Sequence, residues 1–257
     1  MATLDDYVIP RGIAFFDPFD ANGNTTGEID MGNTPGFNLG VESTNLEHFS
    51  SRGGLNEKDR DVATGVNRTA SMTIDNLAIE NMGYFAISTQ SAIVQVATPV
   101  VDEAITVQKD RWYQLGVAAN ATGVRNVSAV VVQDVTDTTT YVLGTDYNLD
   151  LPLGRIQIIA GGAIANDDVL HIDYTPTAET RQQLVADTNP VKGAMRVVSD
   201  NPEGSNKDYY FPSVNLKPTG EMPIIGAEDA WATIGFDIGI NKKDANTPAL
   251  FIDGRGV

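Results

Sequence analysis

The sequence predicts a mainly β protein whose antiparallel strands form a sandwich or barrel with one packed helix. Several segments alternate apolar and polar residues with a period of two, and Gly, Asn and Pro mark many of the turns between them. Strands of this kind have one buried and one solvated face, which is typical of antiparallel sheets. The chain has 257 residues, 42% of them hydrophobic, and is therefore long enough to bury a sizeable core.

Three segments show the alternation most clearly, namely Phe37–Val41, Ala70–Ile74 and Ile234–Ile240. Each is predicted to bury its apolar face and to expose its polar face to water. The residues predicted to be buried are Phe37, Leu39 and Val41 in the first segment, Ala70, Met72 and Ile74 in the second, and Ile234, Phe236, Ile238 and Ile240 in the third.

Two helical segments are predicted. The first lies between Asp75 and Ser88, where the Asp75 side chain is a suitable N-cap. Its apolar stripe, which would pack on a sheet, comprises Ala78, Ile79, Met82, Phe85 and Ala86. The second is a short segment, Glu179–Ala186, that ends before Asn189 and Pro190.

The middle of the chain, residues 99–176, is predicted to form a separate small β-sandwich. It contains a valine-rich strand, Val127–Val132, followed by evenly spaced strand-like segments up to Pro176. On this interpretation it is inserted into a discontinuous domain formed by residues 1–98 and 177–257. Alternatively, the middle simply continues one larger sandwich.

The charge balance argues against specific binding of nucleic acid or of anionic membranes. The chain has 17 Lys and Arg against 34 Asp and Glu, so its formal net charge is -17. Such a field repels polyanions, and we expect no membrane partner and no more than transient proximity to DNA. The first residues lack the basic and apolar regions of a secretory signal, which predicts a protein made in the cytoplasm.

The sequence shows no recognisable catalytic constellation. His48 and His171 fall in different predicted units, and neither has Ser and Asp at a spacing that indicates a triad. Phosphate-binding, dinucleotide-binding and zinc-protease motifs are absent, and so is cysteine. We therefore expect no enzyme activity, no catalytic residue, no cofactor and no metal.

Two stretches far apart in the chain, Arg11–Asp61 and Gly193–Asn241, resemble the two halves of the major tail tube protein of long-tailed (siphovirus-type) bacteriophages. The matching marks are an aromatic strand start at Phe15-Phe16-Asp17, a GNTPGF lead-in at Gly32–Phe37, the run LEHFSSRGG at Leu46–Gly54, and DYYFPSVNLKP at Asp208–Pro218. Within the middle unit, GTDYNLDLPLGRIQI at Gly144–Ile158 resembles small β modules of phage structural proteins.

The resemblance implies a structural virion protein with a tail-tube fold that assembles as stacked, usually hexameric rings into the tube through which the genome is delivered. Its implied partners are further copies of itself, the tape measure protein, and the tail terminator and tip proteins. Double-stranded DNA would pass transiently, without specific binding. The protein would be assembled in the host cytoplasm and located in the virion tail, with the inserted unit on the outside. The alternative is a virion decoration or adhesin-like binding module.

The segment Asn45–Gly65 is predicted to be a long loop, which in compact domains is usually functional or disordered. In the tail tube resemblance, a long loop at this position reaches a neighbouring subunit or ring, where mixed charges set register. The charged residues concerned are Glu47, Arg52, Glu57, Lys58, Asp59, Arg60 and Asp61. The alternative is a solvated flexible loop.

The resemblance also predicts a tube wall that faces the genome, and an acidic wall would let DNA slide by repelling it. The polar faces of the strands supply Asp30, Glu42 and Asp237 as candidates for this wall. Alternatively, these are ordinary carboxylates of the outer surface.

Overall fold

The structure, a computed structural model, describes residues 5–226 and 229–255. Over these residues it contains sixteen strands and one short helix, and the sheets are antiparallel. The predicted mainly β class with one helix is therefore confirmed.

The elements follow one another along the chain as β1 Gly12–Pro18, β2 Ile29–Asp30, β3 Gly36–Ser50, β4 Glu57–Ile74, α1 Ile79–Phe85, β5 Ser88–Gln95, β6 Val100–Thr106, β7 Trp112–Gln114, β8 Val127–Asp134, β9 Tyr147–Asp150, β10 Arg155–Ile158, β11 Val169–Pro176, β12 Glu179–Ala186, β13 Val191–Ser199, β14 Lys207–Thr219, β15 Ile234–Ile240 and β16 Phe251–Gly254.

The chain divides into two compact units. The first consists of Met1–Gln90 and Leu184–Val257, and the second of Ser91–Gln183. The predicted middle unit, residues 99–176, falls within the second. Both boundaries lie inside a two-stranded sheet formed by β5 and β12.

The first unit is built on one eight-stranded sheet with the order β2-β1-β13-β14-β15-β4-β3, and β16 pairs with a further part of β14. Strands of the C-terminal segment thus occupy the centre, and strands of the N-terminal segment occupy both edges. The strongly alternating strands bury one face, as the sequence predicts: Ala70, Met72, Ile74, Ile234, Phe236, Ile238 and Ile240 are each at most 8% exposed.

The helix α1 is shorter than predicted, and Asp75 is not its N-cap. The residue before the helix is Ala78, which makes no side-chain capping bond. The Asp75 carboxylate instead accepts a hydrogen bond from the Asn33 side-chain amide at 2.6 Å, which ties the end of β4 to the segment before β3. The buried Asn81 amide secures the helix by donating to the Met31 and Asn76 carbonyls at 3.0 and 2.9 Å.

Two aromatic side chains of α1 cover the core face of the sheet. Tyr84 meets Phe16 edge-on with ring centroids 5.1 Å apart. Phe85 meets Phe236 in the same way at 6.1 Å. These edge-to-face contacts favour one orientation of the helix.

The second predicted helix, Glu179–Ala186, is wrong because the segment forms β12. Glu179 and Arg181 are half-buried while the residues between and after them are exposed, which is the period of a strand. Composition alone favoured a helix, and pairing with β5 overrides that preference.

The predicted long loop Asn45–Gly65 is also wrong. Most of it belongs to a hairpin of β3 and β4, which pairs Leu46 with Val62 and His48 with Arg60. Only residues 51–56 form the turn.

The apolar face of β3 is buried at only one of its three predicted positions. Phe37 packs against the core, but Leu39 and Val41 remain 38% and 58% exposed. The reason is that β3 is an edge strand, and neither Leu39 nor Val41 reaches the core cluster that Phe37 packs against.

The second unit has its own apolar core between two three-stranded sheets, β7-β10-β9 and β6-β11-β8. Each sheet contributes alternate side chains, among them Ile156 and Ile158 from one and Leu170 and Ile172 from the other, and all four are completely buried. This arrangement matches the small β-sandwich predicted for the middle of the chain.

The Gln95 side chain joins two distant segments of the second unit. It is 8% exposed, and its amide nitrogen donates to the carbonyls of Arg125 and Thr177 at 2.7 and 2.6 Å. Its carbonyl oxygen accepts from the Arg125 backbone N–H at 2.9 Å and from the Arg181 guanidinium at 3.2 Å. Loss of this side chain would leave partly buried backbone groups without partners.

We expect Gln95→Leu to lower the free energy of unfolding of the second unit by about 2–4 kcal/mol, because several backbone hydrogen bonds are lost together. The measurement is urea unfolding followed by Trp112 fluorescence in a Trp231→Phe background. The control is Gln182→Leu on the exposed side of β12, which should change stability by no more than about 0.5 kcal/mol. Equal effects of the two changes would contradict the assigned role of Gln95.

Candidate assembly site

The large sheet of the first unit ends in two open edges. Over the described residues β3 pairs only with β4, so one side of this fifteen-residue strand has no backbone partner. At the other end, β2 contains two residues and covers only Phe15 and Phe16 of β1. Unpaired edges of this length are templates for pairing with another chain, and in the described part of the chain no further strand pairs with the free edge of β3.

The outer part of the β3–β4 hairpin, residues 43–66, is here called the hairpin arm. Almost all of its residues are exposed, although they are strand-paired. Leu46 and Val62 lie directly opposite each other, 67% and 55% exposed, and Leu55 in the turn is 82% exposed. Paired apolar side chains that contribute nothing to the core of their own chain are typical of an interaction surface.

Three of the charged arm residues form one ion-paired cluster, in which a single lysine is shared by two carboxylates. Glu47 and Asp61 face each other across the hairpin, and the Lys58 ammonium bridges them at 2.6 and 2.9 Å. Hydrogen bonding to Glu47, and then to Asp61, raises the pKa of Lys58 above its ordinary value. This cluster fixes the arm internally, which differs from the predicted role of all seven charges in bridging subunits.

The remaining arm charges differ in their availability. Asp59 contacts the imidazole of His48, with 2.5 Å between Oδ1 and Nδ1. Arg52, Glu57 and Arg60 form no ion pair with any residue in the described part of the chain. These three are therefore the charges of the predicted set that remain available to a partner.

The face of the large sheet opposite the core is broad and carries mostly small polar residues. Asp237 pairs with Ser71, which pairs with Asn38, and residues in register lie on the same face. Glu42, four residues after Asn38, lies on this face as well. The other members on these strands are Gly36, Gly40, Asn67, Thr69, Thr73, Gly235 and Gly239.

Asp30 lies on this same face at the opposite edge of the sheet. It pairs with Phe15, which pairs with Arg196, and Arg196 points away from the core because its neighbour Met195 is buried. The sheet thus brings all three predicted wall residues to one face, although they are distributed across its width.

The face is not uniformly acidic, in contrast to the predicted wall. Lys217 pairs directly with Asp237, and Lys192 lies beyond it opposite Asn215. Arg196 on the same face is held by Glu28 at 2.7 Å and stacks on Tyr210. The face therefore carries charges of both signs, with its basic residues on the central strands β13 and β14. Sequence reasoning missed them because it considered each strand separately.

The curvature of the sheet brings the start of β3 towards β1, β13 and β14, with a cavity between these strands. The Phe37 and Phe211 rings approach to 6.1 Å between centroids. Beyond this contact, a cavity of about 810 Å³ opens beside Leu39, Val197 and Tyr209. The exposure of Leu39 follows from this incomplete closure.

The histidines form no nucleophile–base pair. His48 contacts Asp59, and His171 contacts Asp137 and Asp102, but neither ring is hydrogen-bonded to a hydroxyl in the part of the chain that the structure describes. The expectation that the chain is not an enzyme stays a prediction.

The fold and these surfaces define a mainly antiparallel β protein with an open sheet and a projecting hairpin. The chain belongs to the family described as protein of unknown function UCP028589, whose model matches residues 7–249. Among curated proteins, none matches the chain. Within residues 5–226 and 229–255, no helix is long and apolar enough to cross a membrane.

Proposed function

We propose that this protein is a structural subunit of a bacteriophage tail tube, polymerising as stacked rings that form the conduit for genome delivery. The observation that carries the proposal is the hairpin arm, a rigidly paired element whose apolar side chains are exposed in the single chain. A folded subunit that exposes these apolar side chains gains stability when a neighbouring subunit buries them. The hairpin also includes the LEHFSSRGG run on which the tail tube resemblance partly rests.

The two open edges and the broad polar face support the same proposal. Rings form when one surface of a subunit meets a different surface of the next and the rotation closes. Here β3 and β1 present unpaired backbone at opposite ends of one sheet, so pairing between copies would continue the sheet around the ring. On its polar face, Arg196 is paired with Glu28 and Lys217 lies opposite Asp237, so a wall formed by this face would hold DNA only weakly.

The second candidate is a virion decoration or adhesin-like binding module. The observation that favours it is the second unit, which has a complete core of its own and is suited to carrying recognition. In this case the first unit would anchor the protein and would remain monomeric in isolation.

Negative-stain electron microscopy of the purified chain, with sedimentation velocity over a range of concentrations, separates the two candidates. We expect rings or tubes whose abundance rises with concentration. A persistent monomer at high concentration would favour the binding module and contradict the tube.

The apolar pair of the hairpin arm supplies a sharper test. Leu46→Thr with Val62→Thr keeps the β propensity but removes apolar surface, so the monomer should fold normally. If a neighbour buries this pair, the critical concentration for assembly should rise by about tenfold or more. The matched control is Val142→Thr with Leu143→Thr, two exposed apolar residues of the second unit. Assembly of the arm variant at the wild-type concentration would remove this pair from the interface.

The polar face can be tested by reversing one charge. Glu42→Lys places a cation opposite the neutral Asn67, whereas a lysine at Asp237 would face Lys217 and disturb the sheet. If this face lines the tube, assembled Glu42→Lys tubes should retain duplex DNA that wild-type tubes release, and added salt should abolish the retention. Co-sedimentation with labelled duplex DNA measures this.

The control for this experiment is Glu80→Lys, an exposed charge reversal on α1, which packs against the opposite face. It changes the net charge by the same amount. Equal DNA retention by both variants, or by neither, would place Glu42 outside the lumen.

A further inference from the structure

Three potential metal ligands meet on one sheet of the second unit. His171 lies on the central strand β11, Asp102 on the neighbouring strand β6, and Asp137 in the turn that follows β8 on the other side. The imidazole Nδ1 lies 2.8 Å from Asp137 Oδ1 and 3.8 Å from Asp102 Oδ1. One ligand atom from each residue lies within 4.8 Å of the others.

These spacings are close to those required around a tetrahedral ion. Ligand atoms that each lie about 2.0–2.1 Å from such an ion are about 3.3–3.4 Å apart. The two observed separations from Nδ1, 2.8 and 3.8 Å, lie on either side of that value. Small side-chain rotations that lengthen one distance and shorten the other would therefore suffice.

The backbone fixes the two flanking carboxylates. The Asp102 N–H donates to Asp173 Oδ1 at 2.8 Å, which ties β6 to β11 next to His171. The turn that carries Asp137 is held by Asp134, whose carboxylate accepts from the backbone N–H groups of Thr138 and Thr139 at 2.8 and 2.9 Å. The Asp137 N–H also donates to the Asp134 carbonyl at 3.0 Å, which closes the turn.

The charge around the imidazole is unbalanced. Among the described residues, no Lys or Arg forms an ion pair with Asp102 or Asp137, and their only basic contact is His171. The His171 side chain is 21% exposed, so it is mostly enclosed while its Nδ1 faces the two carboxylates. A divalent cation would neutralise both carboxylates at once.

We propose that His171, Asp102 and Asp137 form a binding site for one divalent first-row transition metal ion of the zinc type. The imidazole nitrogen distinguishes the site from an acidic surface patch, because Ca²⁺ and Mg²⁺ prefer oxygen ligands whereas Zn²⁺ accepts nitrogen and carboxylate oxygen together. In the hydrogen bond to the Asp137 carboxylate, Nδ1 is the donor and carries a proton. On binding, this proton is released to solvent, or the neutral ring keeps its proton on Nε2 instead, and the freed Nδ1 lone pair coordinates the ion while Asp137 binds the ion in place of the N–H. The ion would link β6, β11 and the turn after β8.

The site is independent of the proposed tube function, since it lies entirely in the second unit. The test uses the untagged full-length chain and Zn²⁺ alone, with isothermal titration and thermal unfolding as the two measurements. We expect one equivalent of Zn²⁺ to bind and to raise the melting temperature. His171→Ala and Asp137→Asn should each weaken binding by at least about tenfold while the metal-free proteins remain folded.

The chain provides a matched control in its other histidine, His48, which contacts the Asp59 carboxylate. His48→Ala should bind Zn²⁺ like the wild type. The proposal is overturned if His171→Ala binds normally, if His48→Ala loses as much affinity, or if the wild type binds Ca²⁺ as tightly as Zn²⁺. Should His171→Ala fail to fold, Asp102→Asn replaces it, because that change keeps the side-chain shape and removes only the charge.

Discussion

The first unit depends on the pairing of β15 with β4, which joins the C-terminal segment of the chain to the N-terminal one. Seven consecutive residue pairs, Ile234–Ile74 to Ile240–Arg68, form this contact. The side chains that β15 directs to the core are all buried, and burial of each is worth about 1.5–3 kcal/mol. Without this contact, Phe85 of α1 would lose its packing against Phe236, and the two halves of the sheet would separate.

This pairing also determines where the sheet remains open. The central positions are taken by β13, β14 and β15, so the strands of the N-terminal segment are left at the two edges. The strand β4 has eighteen residues, and only its last part, from Arg68, pairs with β15. Its first part pairs with β3 alone and projects as the hairpin arm. The exposed arm thus continues directly from the part of β4 that pairs with β15 in the core, and this pairing anchors the arm.

The sequence predicts those parts of the fold in which one strand face is fully buried, because a period of two is then unambiguous. Ile234–Ile240 and Ala70–Ile74 are examples. The strands of the arm were missed because both faces of the hairpin are exposed to solvent. Neither face is therefore consistently apolar, and the sequence shows no clear period of two. The strand β12 was missed because its inward residues are Glu179 and Arg181, which bury polar side chains through hydrogen bonds instead of apolar contacts.

Site residues could be predicted only where the alternation of polar and apolar residues within a single strand indicated them. Glu42 and Asp237 were found from the polar faces of their own strands, but their common face and its basic members depend on register. The cluster of His171, Asp102 and Asp137 joins residues 34 to 69 positions apart in sequence. No local motif indicates such a cluster, since only the pairing of β11 with its two neighbours brings the residues together.

Hydrogen exchange measured by mass spectrometry on the monomer and on the assembled protein tests the central claim most directly. The account predicts that amides of residues 68–74 and 234–240 are strongly protected in both states, because the core is complete in one chain. Amides of residues 43–66 should exchange faster than the core amides in the monomer, because the arm is exposed, and should slow by about tenfold or more on assembly if a neighbour covers the arm. Equal protection of residues 43–66 in both states would contradict it.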